Sequence, residues 1–296
     1  MHPNITLTQL RCLCAVAERG SFTAAASALH LTQSAISQNV AAVERELGSK
    51  LVIRARGALA LTASGELAVK EARLALAAID RLAAVTASAD ALRGVLRLGV
   101  VQSAAVRLLP GWIRRLRTAH PRVTVSLYEG TDPEVLDWVL SGVIDIGIAS
   151  RTHGDLDARE VHTDSYLVVA PAHHRFAQRA ALGLQELDGE RMLMSGGGCE
   201  TLIQQLLISA NSRPEIVCMV RDNTTLCGMV REGLGLTLMP ELALPEDRTG
   251  LAIVPLQPDL RRTLNLLSRS QAALGPIAAA FLSVASVSGE FRAQQT

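Results

Sequence analysis

Between Ser21 and Leu47 the chain reads SFTAAASALHLTQSAISQNVAAVEREL. The side chains able to do chemistry in this window are short and polar: Thr32, Gln33, Ser34, Ser37 and Gln38, with Arg45 further on. At about 100° per residue, Ile36, Val40, Val43 and Leu47 fall on one stripe of a helix, while Ser34, Ser37, Gln38, Ala41 and Arg45 fall together on the far side. Nothing on that far edge is large or acidic. Hydroxyls and amides of this size hydrogen-bond phosphate oxygens and base edges, and short side chains let a helix enter a DNA major groove. An ordinary helical hairpin with a solvated face is the competing account of this window taken alone.

The other reactive side chains lie in turns. Gln102-Ser103 follows one apolar run, Gly130-Thr131 follows another, Ser195-Gly196-Gly197-Gly198 precedes Cys199, and Asn223-Thr224-Thr225 precedes an apolar stretch. Each turn offers hydroxyls and backbone N–H groups where a strand gives way to a helix, the place where open α/β folds hold small anions. No carboxylate is expected to crowd three of the four, so Gln102, Ser103, Thr131, Ser195, Gly196, Gly197 and Thr224 are candidates for binding a small carboxylate or similar anion. For each turn separately, helix capping with no ligand is the alternative.

Cys199 heads a helix, where a thiol can become a reactive thiolate. The next cysteines, Cys218 and Cys227, stand well beyond it on a strand and a helix, which favours a capping or packing role over sulfur chemistry. Ser195-Gly-Gly-Gly lacks the Gly-Lys-Ser/Thr ending of a phosphate loop. Cys12-x-Cys14 has no second pair nearby, and the seven histidines show no helical ligand spacing. No Ser/His/Asp set can be assembled. The expectation is a protein without catalytic residues, metal or cofactor, and not an enzyme.

Elements must position these groups. Two short amphipathic helices joined by a tight His30–Leu31 turn would hold the polar edge, with Ser21 a further candidate for contacting DNA and Gly48 ending the second helix. Lys50 to Thr62 gives two short apolar runs around a basic, Gly-containing turn, a hairpin wing whose Arg54 and Arg56 would lie against phosphates. From Ser64 to Leu92 there is no Pro, and Leu67, Leu74, Ala78, Leu82, Val85, Ala89 and Leu92 recur at spacings of three, four or seven. That is one long helix whose apolar seam needs a partner, either its copy in another chain or its own domains. After Arg93-Gly94, strands and helices alternate, which argues for a mostly parallel sheet with covered faces. A helix is expected over Leu108–Ala119 and strands over Val143–Ala149, Tyr166–Ala170 and Thr263–Ser268. SGVIDIGIAS and REGLGLTLMP are similar passages and suggest two α/β lobes with a cleft between them.

Of 296 residues, 49% are hydrophobic but only 3% aromatic, so aliphatic side chains must fill the cores. The net charge of +1 conceals an asymmetry. Residues 1–65 carry six Lys and Arg against three acids, and residues 94–296 carry 19 against 21. The basic excess coincides with the candidate DNA-facing helix. No segment reaches the roughly 18 apolar residues of a membrane span. The start, MHPNITLTQLRC, lacks the parts of a signal peptide, and five irregularly spaced cysteines suit a reducing compartment. A cytoplasmic protein without membrane partners is expected.

The order of Leu10, Ala17, Gly20-Ser21-Phe22, Ala25-Ala26, Leu29, Gln33, Ser37, Glu44, Leu47-Gly48, Leu51, Arg54, Leu61-Thr62 and Gly65 resembles the LysR-type transcriptional regulators over about sixty residues. Leu13 and Val52 stand where that family usually has Phe, and Ser34 where it usually has Pro. The resemblance implies an N-terminal all-α winged helix-turn-helix (1–63), a linker and dimerisation helix (64–92), and an α/β effector domain (93–296) like type 2 periplasmic binding proteins. Lobe I would comprise 93–163 and 266–296 and lobe II 164–265, with chain crossings near Thr163–Ser165 and Leu264–Leu266. Ser103, Thr131 and Ser195–Gly198 match turns of the family's effector pocket. It further implies a homodimer or homotetramer on a palindrome-like double-stranded DNA site, a small anionic effector, and contact with RNA polymerase. A thiol-based sensor using Cys199, or a solute-binding protein with an added helical head, is the alternative.

Overall fold

The computed structural model describes residues 3–55, 58–85, 92–269 and 274–285. The chain divides into two compact units, one built from the N-terminal helices and a hairpin, the other from the α/β section.

In the first unit, α1 (Leu7–Arg19) starts at a capping box. Thr6 Oγ1 accepts the Gln9 N–H, and the Gln9 side chain accepts the Thr6 N–H at 2.8 Å. Gly20 ends α1, and Ser21 caps α2 (Phe22–Leu29) by accepting the Ala24 N–H. The anticipated tight turn follows: His30 adopts the left-handed conformation (φ 54°), and Thr32 caps α3 (Gln33–Leu47) by accepting the Ala35 N–H. Cys12, Leu13, Val16, Ala25, Ile36, Val40, Val43 and Leu51 form the core. Cys12 is thus a small core residue, and burial pushes its thiol pKa up.

The wing is an antiparallel hairpin of β1 (Val52–Ala55) and β2 (Ala58–Leu61). Arg54 lies on β1, while Arg56 falls outside the described residues. Helix α4 (Ala63–Val85) begins so close to the hairpin that a Cβ on Gly65 would sit 2.0 Å from the Leu51 carbonyl oxygen, which leaves room for glycine alone. Val69 and Ala72 of α4 join the core. Two seam residues, Leu67 and Leu82, remain 66% and 65% exposed. The helix was expected to reach Leu92. Leu92 is not helical, and residues 86–91 lie outside the described residues.

The second unit carries β3 (Gly94–Val101), α5 (Gln102–Arg107), α6 (Leu109–Ala119), β4 (Val123–Gly130), α7 (Asp132–Leu140), β5 (Ile146–Ala149), β6 (Asp157–Pro171), β7 (Arg191–Ser195), α8 (Glu200–Ser209), β8 (Glu215–Val220), α9 (Asn223–Arg231), β9 (Thr237–Pro240), β10 (Leu251–Pro255), β11 (Arg261–Ser268) and α10 (Pro276–Val284). The predicted helix over Leu108–Ala119 is α6, and a short helix the sequence did not suggest, α5, precedes it. Pro110 sits in the first turn of α6, where its missing N–H is harmless, and a fresh helix starts there.

The main sheet runs β10–β6–β11–β5–β3–β4, with β9 also on β6. It is mixed rather than mostly parallel. β3 is parallel to β4 and β5, as βαβ steps require, but β11 is antiparallel to both β5 and β6. β6 is far longer than the expected Tyr166–Ala170. Its first half pairs with β11 and its second half with β9 and β10, so β6 and β11 are the strands that run from one lobe into the other. In the second lobe the two-residue period of β6 divides the interior. Tyr166, Val168 and Ala170 join one cluster with Met192, Met194 and Ile203, while Val169 joins another with Leu193, Leu226 and Val230. In the first lobe Trp112 of α6 meets Phe281 of α10 edge to face, with centroids 6.1 Å apart.

Candidate functional sites

On α3, Ile36, Val40 and Val43 face inward as the 3.6-residue period demands. Gln33, Ser34, Ser37, Gln38, Ala41 and Arg45 are all exposed, so the fold delivers the small polar face intact. Two other candidates have local duties. Ser21 is half-buried and caps α2, and the Thr32 hydroxyl caps α3 while lying 3.0 Å from Ser34 Oγ. Leu47, assigned to the apolar stripe, is 42% exposed.

At that end of the helix the buried side chain is Glu44, only 9% exposed. Its Oε1 accepts the N–H groups of Leu51 (2.9 Å) and Val52 (3.2 Å), and its Oε2 accepts Lys50 Nζ at 2.6 Å. Burial raises its pKa, but Lys50 and the two amides outweigh that, and the net shift is downward. The carboxylate ties α3 to the first strand of the wing, a role its place in the sequence pattern did not suggest.

In the second unit the Ser103 turn bonds a residue the sequence reading overlooked, and the Gly198 turn packs on Thr131. Arg262 of β11 donates through Nε and Nη2 to Asp164 of β6, at 2.7 and 3.2 Å. The two residues are register partners across the strands that link the lobes. Arg262 Nη2 also donates to Ser103 Oγ at 2.9 Å, and Asp164 accepts the Leu242 N–H at 2.9 Å. The arginine and aspartate side chains are 9% and 2% exposed. Gly198, at φ 106°, packs so tightly on Thr131 that a Cβ there would lie 2.9 Å from Thr131 Cβ. Gln102 Nε2 reaches Asp222 at 3.5 Å. Ser195 is buried and bonds the Cys199 side chain, whereas Thr224 is exposed at the head of α9.

The expectation that three of these turns would be free of carboxylates is overturned. Glu134 Oε2 accepts both the N–H and the hydroxyl of Thr131, at 2.7 and 2.8 Å. Glu200 accepts the Gly198 N–H, Asp222 accepts the Thr225 N–H, and the Gly196 N–H is spent on the Val220 carbonyl. Positive helix N-termini attract carboxylates of their own chain as readily as those of a ligand. The bonds from Thr131 hold Glu134 below the usual carboxylate range, and those from Thr225 do the same for Asp222. Burial pushes the Cys199 thiol up, against the pull of Ser195 and the Arg262 charge, and raises Tyr166 far above an ordinary phenol. At half-buried His162 on β6, burial lowers the pKa. Among the described residues, no three His, Cys, Asp or Glu side chains stand together as a metal site would need, and no helix is long and apolar enough to cross a membrane.

Residues 7–66 match the family model of bacterial regulatory helix-turn-helix proteins of the lysR family, and residues 89–286 match the LysR substrate binding domain. The chain is 32% identical over 242 residues, 81% of its length, to the uncharacterized HTH-type transcriptional regulator YvbU of Bacillus subtilis, covering 83% of that protein. It is 28% identical over 275 residues to a hydrogen peroxide-inducible genes activator of Haemophilus influenzae, covering 90% of this chain and 91% of that one. Among solved structures it is similar to full-length OxyR from Pseudomonas aeruginosa, with a TM-score of 0.77 and 23% identity, covering 95% and 97% of the two chains.

Proposed function

The chain belongs to the LysR family of helix-turn-helix transcriptional regulators, and from that premise we propose that α3 reads a palindrome-like double-stranded DNA site while a small anionic effector in the cleft between the lobes controls the outcome. The observation that carries this reading is the exposed face of Gln33, Ser34, Ser37, Gln38 and Arg45 on a helix whose other side buries Ile36, Val40 and Val43. The regulator works in the cytoplasm, and effector binding changes how the lobes pack, and so the bend imposed on DNA and the recruitment of RNA polymerase. The cleft reading is supported by Ser103 bonding Arg262 and by Gly198 seated on Thr131. Selection of duplexes from a random pool by the full-length protein tests the DNA half. Enrichment of two related half-sites about one or two helical turns apart is expected, and a pool left without any shared sequence overturns it.

Residues 1–63 act as the reading domain, 64–92 as the linker segment that carries α4, and 93–296 as the effector domain of a homodimer or homotetramer. A helix as long as α4 with Leu67 and Leu82 standing in solvent supports pairing with a second copy. Leu82→Glu would place an unpaired carboxylate in that seam, and we expect the assembly to shift towards monomer, with affinity for the second copy falling at least about tenfold. Sedimentation at matched concentration reads this directly, and an unchanged assembly would assign the seam to another role.

Sulfur-based sensing is the second reading. It is favoured by Cys199 lying against Ser195 and near the Arg262 charge, and by the name of the Haemophilus influenzae relative. Burial raises the Cys199 thiol pKa, which lowers its thiolate fraction and leaves the effector reading ahead.

A further inference from the structure

We propose that Arg262 is the residue that recognises the carboxylate of the effector, and that it does so by exchanging its bond to Ser103 for bonds to the ligand. The proposal rests on the reading of the cleft as the effector site and assigns that site its charge. The helix N-termini first credited with holding an anion already hold Glu134, Glu200 and Asp222, so a carboxylate arriving there would meet like charge. Arg262 is different. Its guanidinium is a full, fixed cation that pairs with Asp164 and still has a bond to spare for Ser103, and its planar fork matches a carboxylate in a way that no hydroxyl does.

The bonds of Arg262 are unequal, and that decides which one yields. Asp164 is an ion-pair partner held on both sides, by Arg262 and by the Leu242 N–H, and it is almost fully buried. Ser103 offers a single neutral acceptor. A carboxylate opposite a guanidinium puts charge on both partners and can accept two parallel N–H bonds, where the Ser103 hydroxyl brings no charge and accepts one, so an incoming carboxylate displaces the hydroxyl and leaves the Arg262–Asp164 pair intact. The exchange also carries a signal. Ser103 begins α5, whose Arg107 donates through Nη2 to the Leu244 carbonyl at 2.9 Å, while Arg262 and Asp164 sit on the strands that run between the lobes. Freeing Ser103 uncouples α5 from those strands.

Formate, the smallest carboxylate, is the probe. It is titrated into full-length protein at constant ionic strength with chloride as the control, and the shift of the unfolding equilibrium is followed. A formate-specific stabilisation is expected in the unmodified protein. Asp164→Asn keeps an acceptor for the Leu242 N–H but removes the counter-charge, so formate should bind about tenfold more tightly there, a gain that a purely structural ion pair would not produce. Arg262→Met alone would strand a buried carboxylate, so it is paired with Asp164→Asn, and in the double variant the formate effect should vanish. Ser103→Ala should keep or strengthen it, because the competing hydroxyl is gone. The proposal is overturned if formate behaves as chloride does in the unmodified protein, or if the double variant keeps the shift. A shift lost in Ser103→Ala and Thr131→Val but kept in the double variant also overturns it, while leaving the cleft as the effector site.

Discussion

Ser37→Glu and Gln38→Glu are each expected to abolish sequence-specific DNA binding without disturbing the fold. Both positions are exposed on α3, between one and two turns from the Thr32 cap, and neither side chain makes a bond that the helix needs. Glutamate is also a good helix former, so the helix itself should survive. What changes is the face offered to the groove. A carboxylate replaces a group able to donate to phosphates and base edges, and it meets the phosphate potential with the wrong sign. Losing a base-edge bond is worth about 1–3 kcal/mol. With charge repulsion added, specific affinity should fall by at least about a hundredfold. Fluorescence anisotropy on the selected duplex, with circular dichroism as the check on folding, measures it. Retained affinity in both variants would remove α3 from the role of reading helix.

The N-terminal unit was legible because its signals are local. Apolar residues recur with helical spacing, and Thr6, Ser21 and Thr32 stand where helix caps must. The second unit was legible wherever a strand was an apolar run, as in β5 and the second half of β6. The first half of β6, Asp157 to Ser165, escaped because its residues are mostly polar and exposed, and pairing with β11 rather than burial makes it a strand. The mixed order of the main sheet escaped for the same reason, since the antiparallel pairings run through that unread segment.

At the candidate effector site the turns were read from the sequence, but the carboxylates that occupy them were not. The spacing Thr131-x-x-Glu134 is a capping-box spacing, and it did announce a carboxylate that would return to its own helix end. Glu200, two residues from the N–H it accepts, follows no such rule. Arg262 and Asp164 are separated by 98 positions, and Arg262 and Ser103 by 159. No local pattern joins residues that meet only because two strands cross together between lobes.

The same limit hid Glu44, where the second large effect is expected. Glu44→Ala removes the acceptor for two N–H groups at the start of the wing, one of them on fully buried Leu51, and removes the partner of Lys50. Leaving buried donors unpaired costs about 1–3 kcal/mol each, so the N-terminal unit should lose about 2–4 kcal/mol at neutral pH. The pH dependence follows from the sign of the shift. Glu44 is held below the ordinary glutamate value of about 4.3. Its contribution is therefore fully present above that value and is lost as pH falls through the lower, folded one. The unmodified protein should weaken in the N-terminal unit as the solution is acidified below about pH 4.3, and the gap between it and Glu44→Ala should narrow over the same range. Glu44→Gln should fall between the two, because it keeps an acceptor for the amides but gives up the charge that faces Lys50. Hydrogen exchange of peptides spanning α1 to β2, measured in the full-length protein at neutral and acidic pH, separates this unit from the α/β domain. If Glu44→Ala costs as much in acid as at neutral pH, the charge on Glu44 is not what fastens α3 to the wing.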